Sequence, residues 1–108
     1  MKKVKITELA EVIRSKNSGP YELTLDIIFK NRKFFKLARH SGIFRKELYA
    51  RLYNISVEQV LDLVEFEQAN AIKATIVRPV VSGGQGETDV YGAQQHAPLL
   101  SIEVPIVT

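Results

Sequence analysis

Alternation of apolar and polar residues in the stretch "YELTLDIIF" is the feature that most constrains the fold. The apolar members are Leu23, Leu25 and Ile27, and a polar residue lies on each side of Leu23 and Leu25. Successive side chains of a strand point to opposite faces, so this period of two predicts a β-strand with one buried face. A chain with such a strand needs a second layer to cover that face.

Three further segments have strand character. "AIKATIVRP" places Ile72, Ala74 and Ile76 on one face and polar or smaller side chains on the other. A strand is also predicted around "LVEF", and "LLSIEVPIV" is predicted to be the last strand. Pro105 suits an edge of the sheet, because proline has no N–H to donate to a neighbouring strand.

Helical periodicity predicts the covering layer. "NRKFFKLARHSG" is predicted to be a helix that ends at a glycine C-cap, Gly42. "RKELYARLYN" is predicted to form the next helix, and Ser56 is predicted to cap one more turn, "SVEQVLDL". "TELAEVIRSKNSGP" also has helical spacing, with Thr7 as N-cap and a stop at Gly19.

Together these elements predict an α+β fold. The arrangement expected is a ferredoxin-like two-layer sandwich, with a mainly antiparallel sheet, helices on one face and a long loop before the last strand. At 108 residues the chain is predicted to be a single domain, residues 1–108, large enough for its own core.

Composition removes several classes of function. The absence of cysteine excludes disulfides, thiolate nucleophiles and zinc–thiolate or iron–sulfur sites. No apolar run follows the basic N-terminus, so we expect neither a signal peptide nor a membrane span, and a cytoplasmic location.

Charge is distributed unevenly along the chain. Residues 30–51 contain eight lysines or arginines and one acid, Glu47, whereas residues 58–67 contain four acids and no base. The simplest interpretation is solvated helix faces. Phe34 and Phe35 have the spacing of core residues, which leaves no stacking platform, and we predict no nucleic-acid partner.

The loop "SGGQGETDVYGAQQHAP", residues 82–98, is the most unusual segment. Its glycines do not form a phosphate loop, because no lysine follows them, and Asp89 occupies the third glycine position of a dinucleotide fingerprint. We predict no cofactor and no transition-metal site, since nitrogen and sulfur donors are too few. A weak Mg²⁺ site on Asp89 and Glu87 is left open.

The second half of this loop carries the candidate chemistry. Histidine is the residue type whose ordinary pKa lies near neutrality, so His96 could act as a general acid or base, with Asp89 or Tyr91 to orient it. The alternative is that His96 only hydrogen-bonds the loop to the sheet. Gln94 and Gln95 offer paired amides suited to recognising a carboxylate, an amide or a backbone.

At "LTLDIIF", "ANAIKATIVRP" and "GETDVYGAQQHAPLL" the chain resembles a small bacterial family of unknown function. Its members are short polypeptides encoded beside acyclic-terpene-utilisation (AtuA-like) proteins. The resemblance implies an auxiliary subunit in the breakdown of a small organic acid or an acyl-CoA thioester.

The chain is also similar, more faintly, to the C-terminal ferredoxin-fold domain of the AtuA-like proteins. "RSKNSG" corresponds to a polar turn of that domain, and residues 69–71 correspond to an element that precedes a strand. Gly83, Gly84 and Asp89 correspond to a glycine-rich loop. Lys16 and Asn17 replace the acidic–basic pair of the turn, so its role does not transfer directly.

The polar turn "RSKNSG", residues 69–71 and the long loop each connect core elements. If these three segments met at one end of the sandwich, they would form a pocket. Its ligand-binding residues would be Arg14, Lys16, Asn17, Asn70, Lys73, Tyr91, Gln94 and Gln95, with His96 and Asp89 as catalytic candidates. Arginine and lysine could clamp a carboxylate.

Two functional hypotheses remain at this point. The first is a small subunit that partners an AtuA-like large subunit and binds a small carboxylate or CoA thioester, with no catalysis of its own. The second is a stand-alone lyase or hydratase that uses His96. Homo-oligomers are compatible with both.

Overall fold

The computed structural model describes residues 2–78 and 96–106 and contains one four-stranded sheet and one two-stranded ribbon. The strands are β1 (Lys2–Lys5), β2 (Ala10–Gly19), β3 (Glu22–Phe29), β4 (Val60–Phe66), β5 (Ala71–Val77) and β6 (Glu103–Ile106). The α-helices are α1 (Ile6–Leu9), α2 (Arg32–Ser41) and α3 (Lys46–Tyr53), and single 3₁₀ turns cover Val57–Gln59, Glu67–Ala69 and Ala97–Ser101.

The four-stranded sheet is antiparallel throughout and has the order β2-β3-β5-β4. α2 and α3 connect β3 to β4, and β5 pairs between those two strands. This is the split β-α-β connection of ferredoxin-like sandwiches. The predicted α+β class and its mainly antiparallel sheet are therefore confirmed.

One face of this sheet forms the core with the helices. Leu23, Leu25 and Ile27 of β3 are fully buried, as are the paired residues of β5, and they share one apolar cluster with α2 and α3. The Phe29 ring packs edge-on against Phe35, with 6.2 Å between ring centroids. The alternation in the sequence therefore identified the buried face of the sheet correctly.

The helix predicted over "TELAEVIRSKNSGP" is wrong. The helix ends at Leu9, and β2 follows and pairs with β3, with Arg14 opposite Asp26 and Ser15 opposite Leu25. The β-branched Val12 and the long pairing partner favour the extended form, so tertiary pairing overrides the helical spacing.

The predicted last strand is shorter than expected and lies outside the main sheet. Leu99 and Ser101 belong to a 3₁₀ turn, and β6 pairs antiparallel with β1, a strand that the sequence did not predict. Pro105 faces Lys3 in this ribbon. Among the described residues no third strand joins this ribbon, so Pro105 lies on an edge strand, as predicted for a proline.

The C-terminal cap of α2 formed as predicted, and its N-terminal cap is Asn31, which the sequence patterns did not identify. The Asn31 side chain accepts a hydrogen bond from the Phe34 N–H at 2.8 Å and so caps α2. Gly42 ends that helix in the left-handed region with φ 76°, which favours glycine. Within the described ranges, no helix has the length and apolar character needed to cross a membrane.

Candidate binding site on the open face of the sheet

The second face of the four-stranded sheet carries charged and partly exposed side chains; we call it the open face. Alternation along each strand assigns its members. They are Val12, Arg14, Lys16, Thr24, Asp26, Ile28, Asp62, Val64, Phe66, Ala71, Lys73 and Thr75. Phe66 is 46% exposed, whereas the large apolar side chains of β3 on the other face are fully buried.

A row of three ionisable side chains crosses the middle of the open face. Arg14 of β2 is paired with Asp26 of β3, and Asp26 is paired in turn with Lys73 of β5. The Arg14 Nε donates to Asp26 Oδ2 at 2.9 Å. Adjacent strands are about 4.8 Å apart, so the two cations flank one carboxylate.

Burial differs within this row. The Asp26 side chain is 11% exposed, whereas the Arg14 side chain is 57% exposed. A carboxylate this deeply placed needs a charged partner, because desolvation opposes its ionised form. The closest contact between Arg14 and Asp26 uses the Nε of Arg14. A guanidinium has further N–H donors on its two terminal nitrogens, and these could bind a ligand.

The row borders a cavity of about 200 Å³. Its lining consists of Arg14, Asp26, Ile28, Phe66, Ala69, Ala71 and Lys73. The pocket therefore has a charged wall and an apolar wall, an arrangement suited to a small molecule with one anionic end.

Two of the predicted ligand-binding residues, Arg14 and Lys73, meet in this cavity although they are far apart in the chain. Lys16 lies on the same face one pair further along, opposite Thr24, and is exposed. Asn17 faces the helical side of the sheet instead, opposite Leu23. The predicted cluster is thus divided between the two faces.

Asn70 is held away from the open face by a different network. Its Oδ1 accepts a hydrogen bond from the Arg32 Nε at 2.8 Å, and Arg32 also lies 3.6 Å from a Glu67 carboxylate oxygen. Asn70 has φ 53°, a left-handed conformation that asparagine tolerates and that turns the chain into β5. Its described contacts tie α2 to the β4–β5 turn.

The remaining predicted site residues belong to the loop before the last strand. His96 is half-buried just ahead of the 3₁₀ turn, and its carbonyl accepts from the Leu99 N–H at 2.8 Å. It does not line the cavity that contains Arg14. Asp89, Tyr91, Gln94 and Gln95 lie outside the described residues, as does Glu87.

Sequence reasoning missed Asp26 and Phe66 as site residues. Both stand at strand positions that point away from the predicted core, and Asp26 is a charged residue in the middle of β3. Strand register alone could have paired Asp26 with Arg14 and Lys73, but register was not predictable once β2 had been predicted as a helix.

Two tyrosines on α3 show a different kind of perturbation. Burial raises the pKa of the Tyr49 hydroxyl, and burial together with the neighbouring Tyr49 raises the pKa of Tyr53. In the part of the chain that the structure describes, the buried Tyr49 Oη has no hydrogen-bond partner. These groups belong to the core beneath α3.

No set of three His, Asp or Glu side chains within residues 2–78 and 96–106 is arranged to hold a metal ion. The side chains that line the open-face cavity differ in character. They provide two cations, one carboxylate and a short apolar wall.

Comparison with known proteins gives a match to one family model. The model of a domain of unknown function, DUF4387, matches residues 6–103. No curated protein and no solved structure matches the chain.

Proposed function

The chain belongs to the DUF4387 family, and from that premise we propose that it is a binding subunit for a small carboxylate. In this proposal it works with an AtuA-like large subunit in the catabolism of a small organic acid or its CoA thioester. The observation that carries the proposal is the cavity between Arg14, Asp26, Lys73 and Phe66.

The charge of this cavity selects for one negative charge. Among the described lining residues, Arg14 and Asp26 neutralise each other, and the Lys73 ammonium leaves a net charge of about +1 at neutral pH. A single carboxylate can bind Lys73 and the exposed nitrogens of Arg14 without displacing Asp26. Donors with a fixed charge bind such a ligand more strongly than neutral donors do.

The apolar wall sets the kind of molecule attached to that carboxylate. Ile28, Phe66 and Ala71 line the same space and would contact a short or branched alkyl group. A cavity of about 200 Å³ accommodates a small acid but not a coenzyme A nucleotide. For a thioester, the nucleotide would lie outside and need a second protein surface.

Binding is favoured over turnover by this chain alone. Among the described residues, the one carboxylate in the cavity lining is Asp26, which already accepts the Arg14 hydrogen bond, and His96 does not line the cavity. A general base has to be within hydrogen-bond reach of the proton that it removes. The large subunit is therefore proposed to supply the reacting groups.

A titration of the isolated chain with isovalerate, a branched short-chain carboxylate, tests the ligand. We expect saturable binding by calorimetry, and an affinity about tenfold lower for Lys73→Gln because one charged hydrogen bond is lost. Lys33→Gln is the matched control, an exposed lysine on α2. Absence of saturation, or equal affinities for the three proteins, would overturn the ligand assignment.

Co-purification with an AtuA-like protein tests the partner. We expect a stable complex that Phe66→Asp weakens and Leu100→Asp does not. The two residues are matched, since Phe66 is 46% and Leu100 44% exposed, but Leu100 lies in the last 3₁₀ turn. Separate elution of the two wild-type proteins would contradict the partnership.

A further inference from the structure

We propose that the ligand of the open-face cavity is a branched dicarboxylate, whose second carboxylate binds Lys16 and Thr75 just outside the cavity. This inference rests on the proposed function and deepens it, because it names the class of acid that the same site takes. It follows from the order of the side chains on the open face and from the position of Lys16 beyond the cavity lining.

Strand register arranges the open face in three parallel rows, each of which crosses all four strands of the sheet. We call them the apolar row, the ionic row and the hydroxyl row, after the side chains that they carry. Neighbouring rows are two residues apart along each strand, a distance of about 6.8 Å. In this order, the rows are Val12–Ile28–Ala71–Phe66, Arg14–Asp26–Lys73–Val64 and Lys16–Thr24–Thr75–Asp62.

The cavity covers only two of these rows. Its lining consists of side chains from the apolar row and the ionic row together with Ala69, and no residue of the hydroxyl row belongs to it. The ionic row is therefore the boundary of the cavity on the side of Lys16. A carboxylate that binds Arg14 and Lys73 at this boundary has the hydroxyl row directly beside it, so a second polar group of the same ligand can reach that row.

Lys16 supplies the cation for a second carboxylate. Its side chain is exposed, and within residues 2–78 and 96–106 it forms no ion pair. The charges of Arg14, Lys16 and Lys73, together with that of Asp26, leave about +2 at neutral pH. The cavity lining alone carries one charge fewer, so the second carboxylate is neutralised only if it extends to Lys16.

Thr75 supplies a hydroxyl donor in the middle of the same row. It is half-buried, and its hydroxyl makes no hydrogen bond to another residue that the structure describes. Lys16 and Thr75 lie on either side of Thr24, about 9.6 Å apart across two strand spacings, which the long lysine side chain can span. One carboxylate can accept from both groups, because its two oxygens offer about four acceptor sites.

The distance between the rows sets the length of the ligand. With C–C bonds of about 1.5 Å, the two carboxyl carbons of an extended five-carbon diacid are about 5 Å apart. The flexible lysine stem covers the remaining distance to the hydroxyl row. Glu22 is exposed one pair beyond Thr24 on the same face, so a much longer diacid would bring its second carboxylate towards a like charge.

The apolar row sets the position of the branch. Ile28, Phe66 and Ala71 lie on the opposite side of the ionic row from Lys16. The carbon next to the first carboxylate can therefore direct a small alkyl group towards the apolar row and the rest of the chain towards the hydroxyl row. The ligand class that fits all three rows is a glutarate with an alkyl branch at carbon 2.

A matched pair of ligands tests the second carboxylate. 2-Methylglutarate and 2-methylpentanoate have the same branch and the same chain length, and a methyl group of the second takes the place of one carboxylate of the first. Calorimetric titration of the full chain at neutral pH should give an affinity about tenfold higher for 2-methylglutarate, because hydrogen bonds to a charged group are gained. This preference should become smaller at high salt, since Lys16 is exposed.

Substitutions in the hydroxyl row test where the second carboxylate binds. Lys16→Gln should reduce the ratio of the two affinities from about ten to about two, because the charged donor is lost. Thr75→Val, which replaces a hydroxyl by a methyl group, should reduce the ratio about threefold. Lys36→Gln, at an exposed lysine on α2, is the matched control and should leave the ratio unchanged.

The outcomes distinguish a failure of this inference from a failure of the proposed function. Saturable binding of both acids with equal affinity overturns the dicarboxylate but retains the carboxylate cavity. A preference for 2-methylglutarate that Lys16→Gln leaves intact also overturns the inference, because the second carboxylate then binds elsewhere. Absence of saturation with both acids overturns the ligand of the proposed function and the dicarboxylate together.

Discussion

The two faces of the four-stranded sheet are made by the same strands but have opposite characters. Leu25 is fully buried beneath the helices, whereas its neighbour Asp26 belongs to a charged row beside a cavity. The backbone makes the same ladder for both residues, and only the direction of the side chain differs. One face holds the layers together, and the other is the face to which we assign ligand binding in our proposal.

Because of this difference, adjacent positions of β3 are expected to serve different properties: those on the covered face stability, and those on the open face the proposed binding. Side chains on the covered face pack at the density of a protein interior, so removing atoms there creates a cavity. Exposed side chains on the open face, such as Lys16 and Phe66, can change with little loss. The two faces should therefore respond differently to substitutions at adjacent positions.

The largest expected effect is from Leu25→Ala on the covered face. We expect the free energy of unfolding to fall by about 3 kcal/mol, because a fully buried leucine is replaced and the site cannot collapse. Urea denaturation measures it. Ile28→Ala on the open face is the control, with an expected loss of about 1 kcal/mol, and equal losses would contradict the contrast.

Tyr49→Phe should have a smaller effect of opposite sign. Tyr49 is fully buried and, among the described residues, its hydroxyl has no hydrogen-bond partner, so removing the oxygen should stabilise the fold by about 1 kcal/mol. Thermal unfolding at neutral pH measures it. A clear loss of stability would show that the hydroxyl has a partner.

The same substitution should change the alkaline limb of stability. Burial raises the Tyr49 pKa, so its contribution is fully present below the unfolded value of about 10 and is lost as the pH rises beyond it. Tyr49→Phe should therefore lose less stability between neutral and strongly alkaline pH than the wild type. A substitution at the exposed Tyr21 should not alter this slope.

The smallest expected effect is from Phe66→Ser on the open face. Phe66 is largely exposed at an edge strand, so the free energy of unfolding should change by no more than about 0.5 kcal/mol. Urea denaturation checks this value. A loss as large as that of Leu25→Ala would mean that the two faces are equally important for stability.

Local sequence patterns predicted the elements whose signals are also local. The alternation in β3 and β5, the Gly42 cap of α2 and the periodicity of α3 all correspond to the observed elements. Each of these signals is contained within a few consecutive residues, because side-chain direction and capping depend on the nearest turns of the backbone.

β2 was predicted wrongly because its signal is not local. The spacing of Leu9, Val12 and Ile13 fits a helix, yet residues 10–19 pair along almost the whole of β3. The ladder satisfies backbone groups that no short-range pattern reveals. β1 was missed for the same reason, since its partner β6 lies at the other end of the chain.

The sequence by itself determined which side chains of β3 and β5 face the core and where the two longer helices begin and end. The tertiary structure decided that Arg14 contacts Asp26, that Lys73 lies beside them and that Asn70 bonds to Arg32 instead. The physical reason is that burial and capping follow from neighbours in the chain. Strand order and register, by contrast, join residues that only folding brings within hydrogen-bond distance.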